Sequence, residues 1–239
     1  MRVLVTGGAS GLGYAITKQL LSSGNFVYFT YLSSKEKAAE LQTQFPGQCL
    51  GLECDFKSSE SIDSFIAAIS EWNLEALVNN ALPPMQIQQF QKTAIQDFEN
   101  SFSSTVLPVL AITQACLFQF RKKRAGRVIN ILTSYLVNRP PIGLGAYTAN
   151  KAYLLTISKA LLAENAKFGI SINNISPSMM LTNLVNDIDE RVLEMAAESN
   201  LMGRLIRVDE VAQSVEFLLK STPHINGVNL ILNGGEDVL

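Results

Sequence analysis

The apolar residues of the chain follow two alternating patterns. Short, nearly continuous apolar runs are typical of parallel strands buried on both faces, and segments with a helical period separate them. The strand-like runs are Val3–Thr6, Phe26–Tyr31, Cys49–Cys54, Ala76–Asn79, Arg127–Leu132, Ser171–Ile175 and Val228–Leu232. This alternation predicts the α/β class: a single Rossmann-type, doubly wound parallel sheet of about seven strands with helices on both faces.

Several segments between the strands carry further signals. Residues 146–168 are apolar around most of a helix, which predicts burial on both sides; a second copy of the chain is the simplest cover for the side away from the sheet. Ser33–Glu36 predicts a capping box that opens the second helix. The connection over residues 177–207 is unusually long, so we expect a lid over a substrate. We expect an apolar substrate wall lined by Leu82–Met85, Tyr135, Leu136, Met179, Met180 and Leu184.

Composition fits one domain over residues 1–239 and limits the class of partner. The chain has 19 Lys and Arg against 21 Asp and Glu. Its basic cluster, Arg121–Arg124, is expected at a helix end, where it meets the negative end of the helix dipole. We therefore expect no nucleic-acid partner. No apolar run reaches the roughly 18 residues of a membrane span, so no membrane partner is expected either.

The cysteines and the first strand bear on location. The three cysteines lack metal-ligand spacing, which predicts reduced thiols and no metal site. The first apolar run begins at residue 3, so we expect no signal peptide. Both features predict a cytoplasmic protein.

A glycine-rich turn follows the first strand. Gly7, Gly11 and Gly13 are spaced G-x-x-x-G-x-G. Glycine lets the backbone approach a ligand closely, and the next helix aims its free N–H groups at phosphates. The segment lacks the Gly-Lys-Ser/Thr of a nucleoside triphosphate loop. The turn therefore predicts a dinucleotide site, with an ordinary strand–helix turn as the alternative.

Tyr147 and Lys151 form a candidate catalytic pair at the start of the apolar helix. They are four residues apart and share a helix face. An ammonium group beside a phenol lowers the phenol pKa, which would suit Tyr147 to general acid or base work. A solvated helix face is the alternative. The hydroxyls of Thr133 and Ser134 favour catalysis, because they follow the fifth strand at the sheet edge where ligands bind.

These motifs, in this order, resemble the compact type of short-chain dehydrogenase/reductase over nearly the whole chain. Within that family the chain is similar to 3-oxoacyl-(acyl-carrier-protein) reductases and related carbonyl reductases. The motifs are Thr6–Gly13, Asp55, Asn79-Asn80-Ala81, Ser134, Tyr147–Lys151, Pro177 with Thr182, Gly203-Arg204, Asn226–Val228 and Gly234-Gly235.

The resemblance implies hydride transfer between a nicotinamide cofactor and a small-molecule carbonyl or acyl-carrier-bound substrate, in a homo-oligomer (tetramer or dimer). Tyr147 would exchange the proton with the substrate oxygen, and Lys151 would hold the nicotinamide ribose. Ser134 would orient the carbonyl, with Thr133 as its rival. The implied cofactor contacts are Gly7, Ser10, Gly11, Leu12, Gly13, Tyr31, Ser33, Ser34, Asp55, Asn79, Ala81, Tyr147, Lys151, Pro177 and Thr182.

Three positions depart from the family's pattern. Leu82 stands where a glycine usually follows Asn-Asn-Ala, and Ser178 replaces the glycine that usually follows Pro177. Thr105 aligns with the family's catalytic asparagine, which usually holds a water in a proton relay through the lysine. They leave an alternative open, a catalytically impaired dinucleotide-binding regulator. We expect an active enzyme because the catalytic Ser, Tyr and Lys are all present.

The end of the second strand predicts which nicotinamide cofactor binds. NAD-binding proteins of this kind place an acid there, where it bonds the ribose 2′-hydroxyl. Thr30–Lys35 contains no Asp or Glu, whereas Ser33, Ser34 and Lys35 could accept a 2′-phosphate. The segment favours NADP(H) over NAD(H), although Ser10 stands where many NADP-dependent relatives have a basic residue.

Overall fold

Seven parallel strands form the centre of the structure, a computed structural model that describes residues 1–137, 139–180 and 190–236. The sheet order is β3-β2-β1-β4-β5-β6-β7. Every predicted strand is present, with bounds within two residues of those expected. The strands are β1 (Arg2–Val5), β2 (Phe26–Tyr31), β3 (Cys49–Glu53), β4 (Ala76–Asn79), β5 (Gly126–Ile131), β6 (Ile170–Pro177) and β7 (Asn229–Leu232).

Helices cover both faces of this sheet, which confirms the predicted fold class. The helices are α1 (Gly11–Ser22), α2 (Lys35–Gln44), α3 (Ser59–Ser70), α4 (Ile95–Lys123), α5 (Gly145–Asn165), α6 (Glu190–Ser199) and α7 (Val208–Lys220). Val3 and Val5 pack into the core under α1, α2 and α7, whereas Leu4 between them packs into the core under α3 and α4. The helix α5 packs beside α4.

The central strand β1 sets the place where a ligand can bind. It pairs with β2 on one side and with β4 on the other. Strands β2 and β3 therefore extend the sheet in one direction from β1, and strands β4 to β7 extend it in the opposite direction. In sheets of this kind the crevice lies at the carboxyl ends of the strands, at that reversal. The structure therefore brings the segment after β1 next to the segment after β4.

One buried threonine ties these two segments together. The Thr6 hydroxyl accepts the backbone N–H groups of Asn80 (2.9 Å) and Ala81 (3.0 Å). The Asn80 side chain donates back to the carbonyls of Thr6 (3.0 Å) and Gly7 (3.3 Å). The glycine turn and the start of the loop after β4 are thus fixed against each other.

The helix ends confirm one expectation and correct another. The cluster Arg121–Arg124 lies at the end of α4, as predicted. The capping box at Ser33–Glu36 is wrong: α2 begins at Lys35 with Ser34 as its N-cap, and the Ser34 side chain makes no capping bond. This start places Glu36 at the second helical position, one short of the position a capping box needs.

The long helix α4 belongs to the core. Among the described helices it alone is long and apolar enough to cross a membrane. Its side chains Val106, Ile112 and Phe120 are fully buried within the protein. Packing inside the fold therefore accounts for its apolar character.

Candidate active site

The glycine turn leaves the start of α1 open for an anion. Ser10 is the N-cap of this helix, with an extended backbone, but its side chain makes no capping bond. The first turn of α1 also contains no acidic residue. The N–H groups at a helix start need a partner, and a phosphate is the partner they favour. The residues present therefore fit the diphosphate of a dinucleotide.

Two of the three motif glycines are also required by contacts within the protein. A Cβ atom on Gly13 would lie 2.0 Å from the Gly7 carbonyl oxygen. Gly7 has φ +65°, and a Cβ atom there would lie 2.9 Å from the Ala81 Cα. Ala81 thus contacts the turn, and the glycine spacing reflects close backbone packing as well as room for a ligand.

The end of β2 lies directly beside the turn. The Gly7 N–H donates to the Thr30 hydroxyl, and the Gly8 N–H donates to the Thr30 carbonyl, both at 2.8 Å. Tyr31, Ser33 and Ser34 follow Thr30 and are all at least partly exposed. A ligand bound at the glycine turn could therefore reach Tyr31, Ser33 and Ser34.

A carboxylate that sequence reasoning missed lies at this position. The Lys35 Nζ forms an ion pair of 2.9 Å with Glu53 Oε2. Glu53 ends β3, in register with Tyr31 on β2. Thr30–Lys35 at the end of β2 contains no acid, and only the register of β2 with β3 brings Glu53 beside this segment.

Asp55 and Asn79 make bonds within the protein. Asp55 Oδ1 accepts the Lys57 N–H at 2.8 Å. Asn79 is buried and donates to the Thr113 hydroxyl and to Asn130 Oδ1, both at 2.9 Å. Asn79 Oδ1 has no hydrogen-bond partner in the described part of the chain. Contact of either residue with a cofactor stays a prediction.

The structure places Tyr147 and Lys151 together but corrects their expected electrostatics. Lys151 is buried, its Nζ donates to the Ile131 carbonyl at 2.7 Å, and that Nζ lies 5.9 Å from the centre of the Tyr147 ring. Burial lowers the pKa of Lys151 to about 8. Burial also raises the pKa of Tyr147 to about 12. The expected lowering of the Tyr147 pKa is therefore wrong for this structure, because desolvation of the phenol dominates.

Of the two rival hydroxyls, Thr133 is the one that contacts Tyr147. Its hydrogen bond to the Tyr147 side chain offsets part of the rise in the phenol pKa. Ser134 Oγ is buried with no hydrogen-bond partner among the described residues. The spacing to Tyr147 predicts Ser134, whereas the contact favours Thr133 as the orienting hydroxyl.

The predicted lid is described only in part. Pro177 ends β6, and the next hydroxyl, Ser178 Oγ, is buried without a partner among the described residues. Thr182 lies outside the described residues. Met180 and Ile206 form a parallel bridge that joins the two arms of the 177–207 segment. Its role as a lid stays a prediction.

A cavity of about 850 Å³ opens on one side of Tyr147. Leu82 and Thr105, two of the departures from the family's pattern, both line it. So does Asn150, whose side chain donates to the Ser101 hydroxyl at 2.9 Å. Leu82–Met85 form part of its wall, but glutamine, serine and asparagine side chains line it as well, so the expected apolar wall is mixed. The other predicted wall residues do not line this cavity, namely Tyr135, Leu136, Met179 and Met180, and Leu184 lies outside the described residues.

This fold and this site define an oxidoreductase of the short chain dehydrogenase family, to which the chain belongs. The family's model matches residues 1–193. The chain is 29% identical to the 3-oxoacyl-(acyl-carrier-protein) reductase FabG of Aquifex aeolicus (strain VF5) over 238 residues, 97% of this chain and 95% of that protein.

Two solved structures share the fold. One is a short chain dehydrogenase from Burkholderia cenocepacia J2315 in complex with NADP. The other is a 3-ketoacyl-(acyl-carrier-protein) reductase from Brucella melitensis complexed with NADH. Each is 24% identical, has a TM-score of 0.88, and covers 99% of this chain and 98% of its own. The same fold thus accommodates either form of the cofactor.

Proposed function

We propose that the protein is an NADP(H)-dependent oxidoreductase that transfers hydride between the nicotinamide and a carbonyl or alcohol, with Tyr147 as general acid or base. One observation carries the proposal. Tyr147 faces the 850 Å³ cavity, while its side chain bonds Thr133 at the carboxyl edge of the sheet. A reacting carbonyl and a proton donor can meet there.

The chain's own residues hold and orient the reactants. The start of α1 would hold the diphosphate, and Lys151, whose Nζ donates to the Ile131 carbonyl, would hold the nicotinamide ribose. The nicotinamide supplies the hydride chemistry when bound. Tyr147 donates its proton to the substrate oxygen during reduction, and Thr133 or Ser134 orients that oxygen.

The cofactor preference is proposed as NADP(H). Ser33, Ser34 and Lys35 support it, since they place hydroxyls and a cation after β2. NAD(H) is the weaker candidate, because the segment Thr30–Lys35 itself carries no acid. The Glu53 carboxylate opposes the preference for NADP(H).

The proposed substrate is a ketone or aldehyde, including a 3-oxoacyl group on a thioester. The cavity volume supports a substrate with an extended part beyond the carbonyl, because about 850 Å³ lies within the range of drug-sized ligand pockets. Its mixed lining offers contacts for both apolar and polar segments of such a molecule.

Oxidation of NADPH across 3-oxoacyl thioesters, ketones and aldehydes tests the proposal. We expect Tyr147→Phe to lower kcat/KM by about 10²–10⁴-fold, the usual contribution of a general acid. Tyr153→Phe on the exposed side of α5 is the matched control. Activity that survives Tyr147→Phe excludes this acid. Tight NADPH binding without turnover of any substrate supports the impaired regulator instead.

We also propose a homo-oligomer, a tetramer or dimer, in the cytoplasm. Leu107 and Phe118 on α4 are 48% and 65% exposed, although the same helix packs into the core. A second copy would cover these side chains. Light scattering at micromolar concentration should show a species larger than the 26.1 kDa chain. A solution that contains only the 26.1 kDa species would contradict the proposal.

A further inference from the structure

The ion pair between Lys35 and Glu53 lies where the proposed cofactor would carry its distinguishing group. NADP(H) differs from NAD(H) by a phosphate on the adenosine ribose. In dinucleotide-binding sheets, residues at the end of the second strand contact that ribose. Lys35 and Glu53 are close to this end, because β2 finishes at Tyr31 and Tyr31 is in register with Glu53.

Three observations place the pair beside the glycine turn. The turn is bonded to Thr30, the residue before Tyr31. Tyr31 is in register with Glu53 on the neighbouring strand, and Glu53 in turn holds the Lys35 ammonium. Lys35 opens α2, whose N-cap Ser34 leaves the helix start without a side-chain cap. The Lys35 ammonium, the Ser34 hydroxyl and the uncapped start of α2 thus lie together.

We infer that Glu53, through Lys35, limits how strongly this site prefers NADP(H) to NAD(H). The inference rests on the proposed function. A 2′-phosphate would need the Lys35 ammonium as its counter-charge, but Glu53 already holds that ammonium at 2.9 Å. A 2′-hydroxyl is uncharged, so it needs no counter-charge from Lys35.

The pair can serve this purpose because it is open to solvent. The side chains of Lys35 and Glu53 are 66% and 51% exposed. Exposed ion pairs contribute little to stability and rearrange easily. Replacement of either partner therefore changes recognition without breaking the fold.

Isothermal titration calorimetry with NADPH and NADH, on the full chain at low salt, tests the inference. The quantity compared is the ratio of the Kd for NADH to the Kd for NADPH. We expect Glu53→Gln to raise this ratio about three- to tenfold, as Lys35 is released to the phosphate. Lys35→Met should lower it by about as much, and high salt should weaken both effects.

Matched controls come from the same helix. Glu36→Gln and Lys37→Met make the same charge changes at exposed neighbouring positions. The ratio should stay within about twofold of the wild-type ratio in both. A rise with Glu36→Gln equal to that with Glu53→Gln would show a general charge effect and overturn the inference.

A double variant tests whether Glu53 acts through Lys35. In the Lys35→Met background, Glu53→Gln should change the ratio much less than it does in the wild type, because coupled residues are not additive. An equal change in both backgrounds overturns the link. If both dinucleotides bind but Glu53→Gln leaves the ratio unchanged, the inference fails and the proposed function stands. If neither NADPH nor NADH binds, both the inference and the proposed function fail.

Discussion

Two lysines at the carboxyl edge of the same sheet have opposite environments. Lys151 is buried and its Nζ bonds only the carbonyl of Ile131, the last residue of β5, among the described residues. Burial lowers its pKa to about 8. Lys35 is exposed and pairs with Glu53, the last residue of β3, and this bond raises its pKa.

The difference separates two uses of one side chain. A buried ammonium without a carboxylate partner is costly, and such groups concentrate at functional sites. An exposed ammonium is screened by water, so its partner governs recognition more than stability. The contrast predicts that Lys151 trades stability for activity, whereas Lys35 affects cofactor choice alone.

The largest expected effect is on activity at Lys151. Lys151→Met should lower kcat/KM by about 10²–10⁴-fold, the range for loss of an acid–base group, because the ribose of the proposed cofactor would lose its positioned cation. Steady-state assays with NADPH measure it. Lys159→Met, an exposed position on the same helix, should leave the rate nearly unchanged. Full activity of Lys151→Met would remove the contrast between the two lysines.

The next effect is on stability as a function of pH. Between about pH 8 and 10.5 Lys151 holds less of its proton in the folded protein than in the unfolded chain, because burial lowers only its folded pKa. The contribution of Lys151 to the free energy of unfolding therefore rises with pH through this window. The gain should be on the order of 1–3 kcal/mol relative to Lys151→Met.

Urea unfolding of the wild type and of Lys151→Met across this window measures the difference. Tyr147 and Cys116, whose pKa values burial raises to about 12, are present in both proteins, so their opposite contributions largely cancel. Parallel pH profiles of the two proteins would show that burial does not lower the pKa of Lys151.

A smaller loss of activity is expected when either hydroxyl near the Tyr147 phenol, Thr133 or Ser134, is removed. Thr133, and not Lys151, forms a hydrogen bond with that phenol. Thr133→Val should lower kcat/KM by about 10–100-fold, the size of one lost positioning hydrogen bond. Ser134→Ala should cost less, since Ser134 Oγ has no partner in the described structure. A larger loss with Ser134→Ala would restore the assignment that the spacing predicts.

The smallest effect is expected at Lys35. Its ion pair with Glu53 is exposed, so Lys35→Met should leave the melting temperature unchanged within the error of a thermal scan. Differential scanning calorimetry checks this. A clear drop would mean that the pair stabilises the fold and that the two lysines differ less than their exposure indicates.

Sequence patterns predicted the fold because local rules decide it. Continuous apolar runs specify buried parallel strands, and the glycine spacing specifies a backbone contact that tolerates no Cβ at Gly13. The spacing of Tyr147 and Lys151 likewise placed both on one helix face.

Features that depend on neighbouring strands were beyond these rules. The pair of Lys35 with Glu53 follows from the register of β2 with β3, which sequence spacing does not encode. The pKa of Tyr147 depends on where the Lys151 Nζ lies and on how deeply the phenol is buried. The capping box failed because the start of α2 shifts by one residue.

The Thr6 hydroxyl has a consequence for how the two halves of the site respond to ligands. Because it bonds both Asn80 and Ala81, it links the turn before α1 to Leu82, the next residue along the chain and part of the cavity wall. If the proposed cofactor binds at that turn, a substrate that displaced Leu82 would also act on the phosphate site, and by thermodynamic reciprocity each ligand would alter the other's affinity by the same factor.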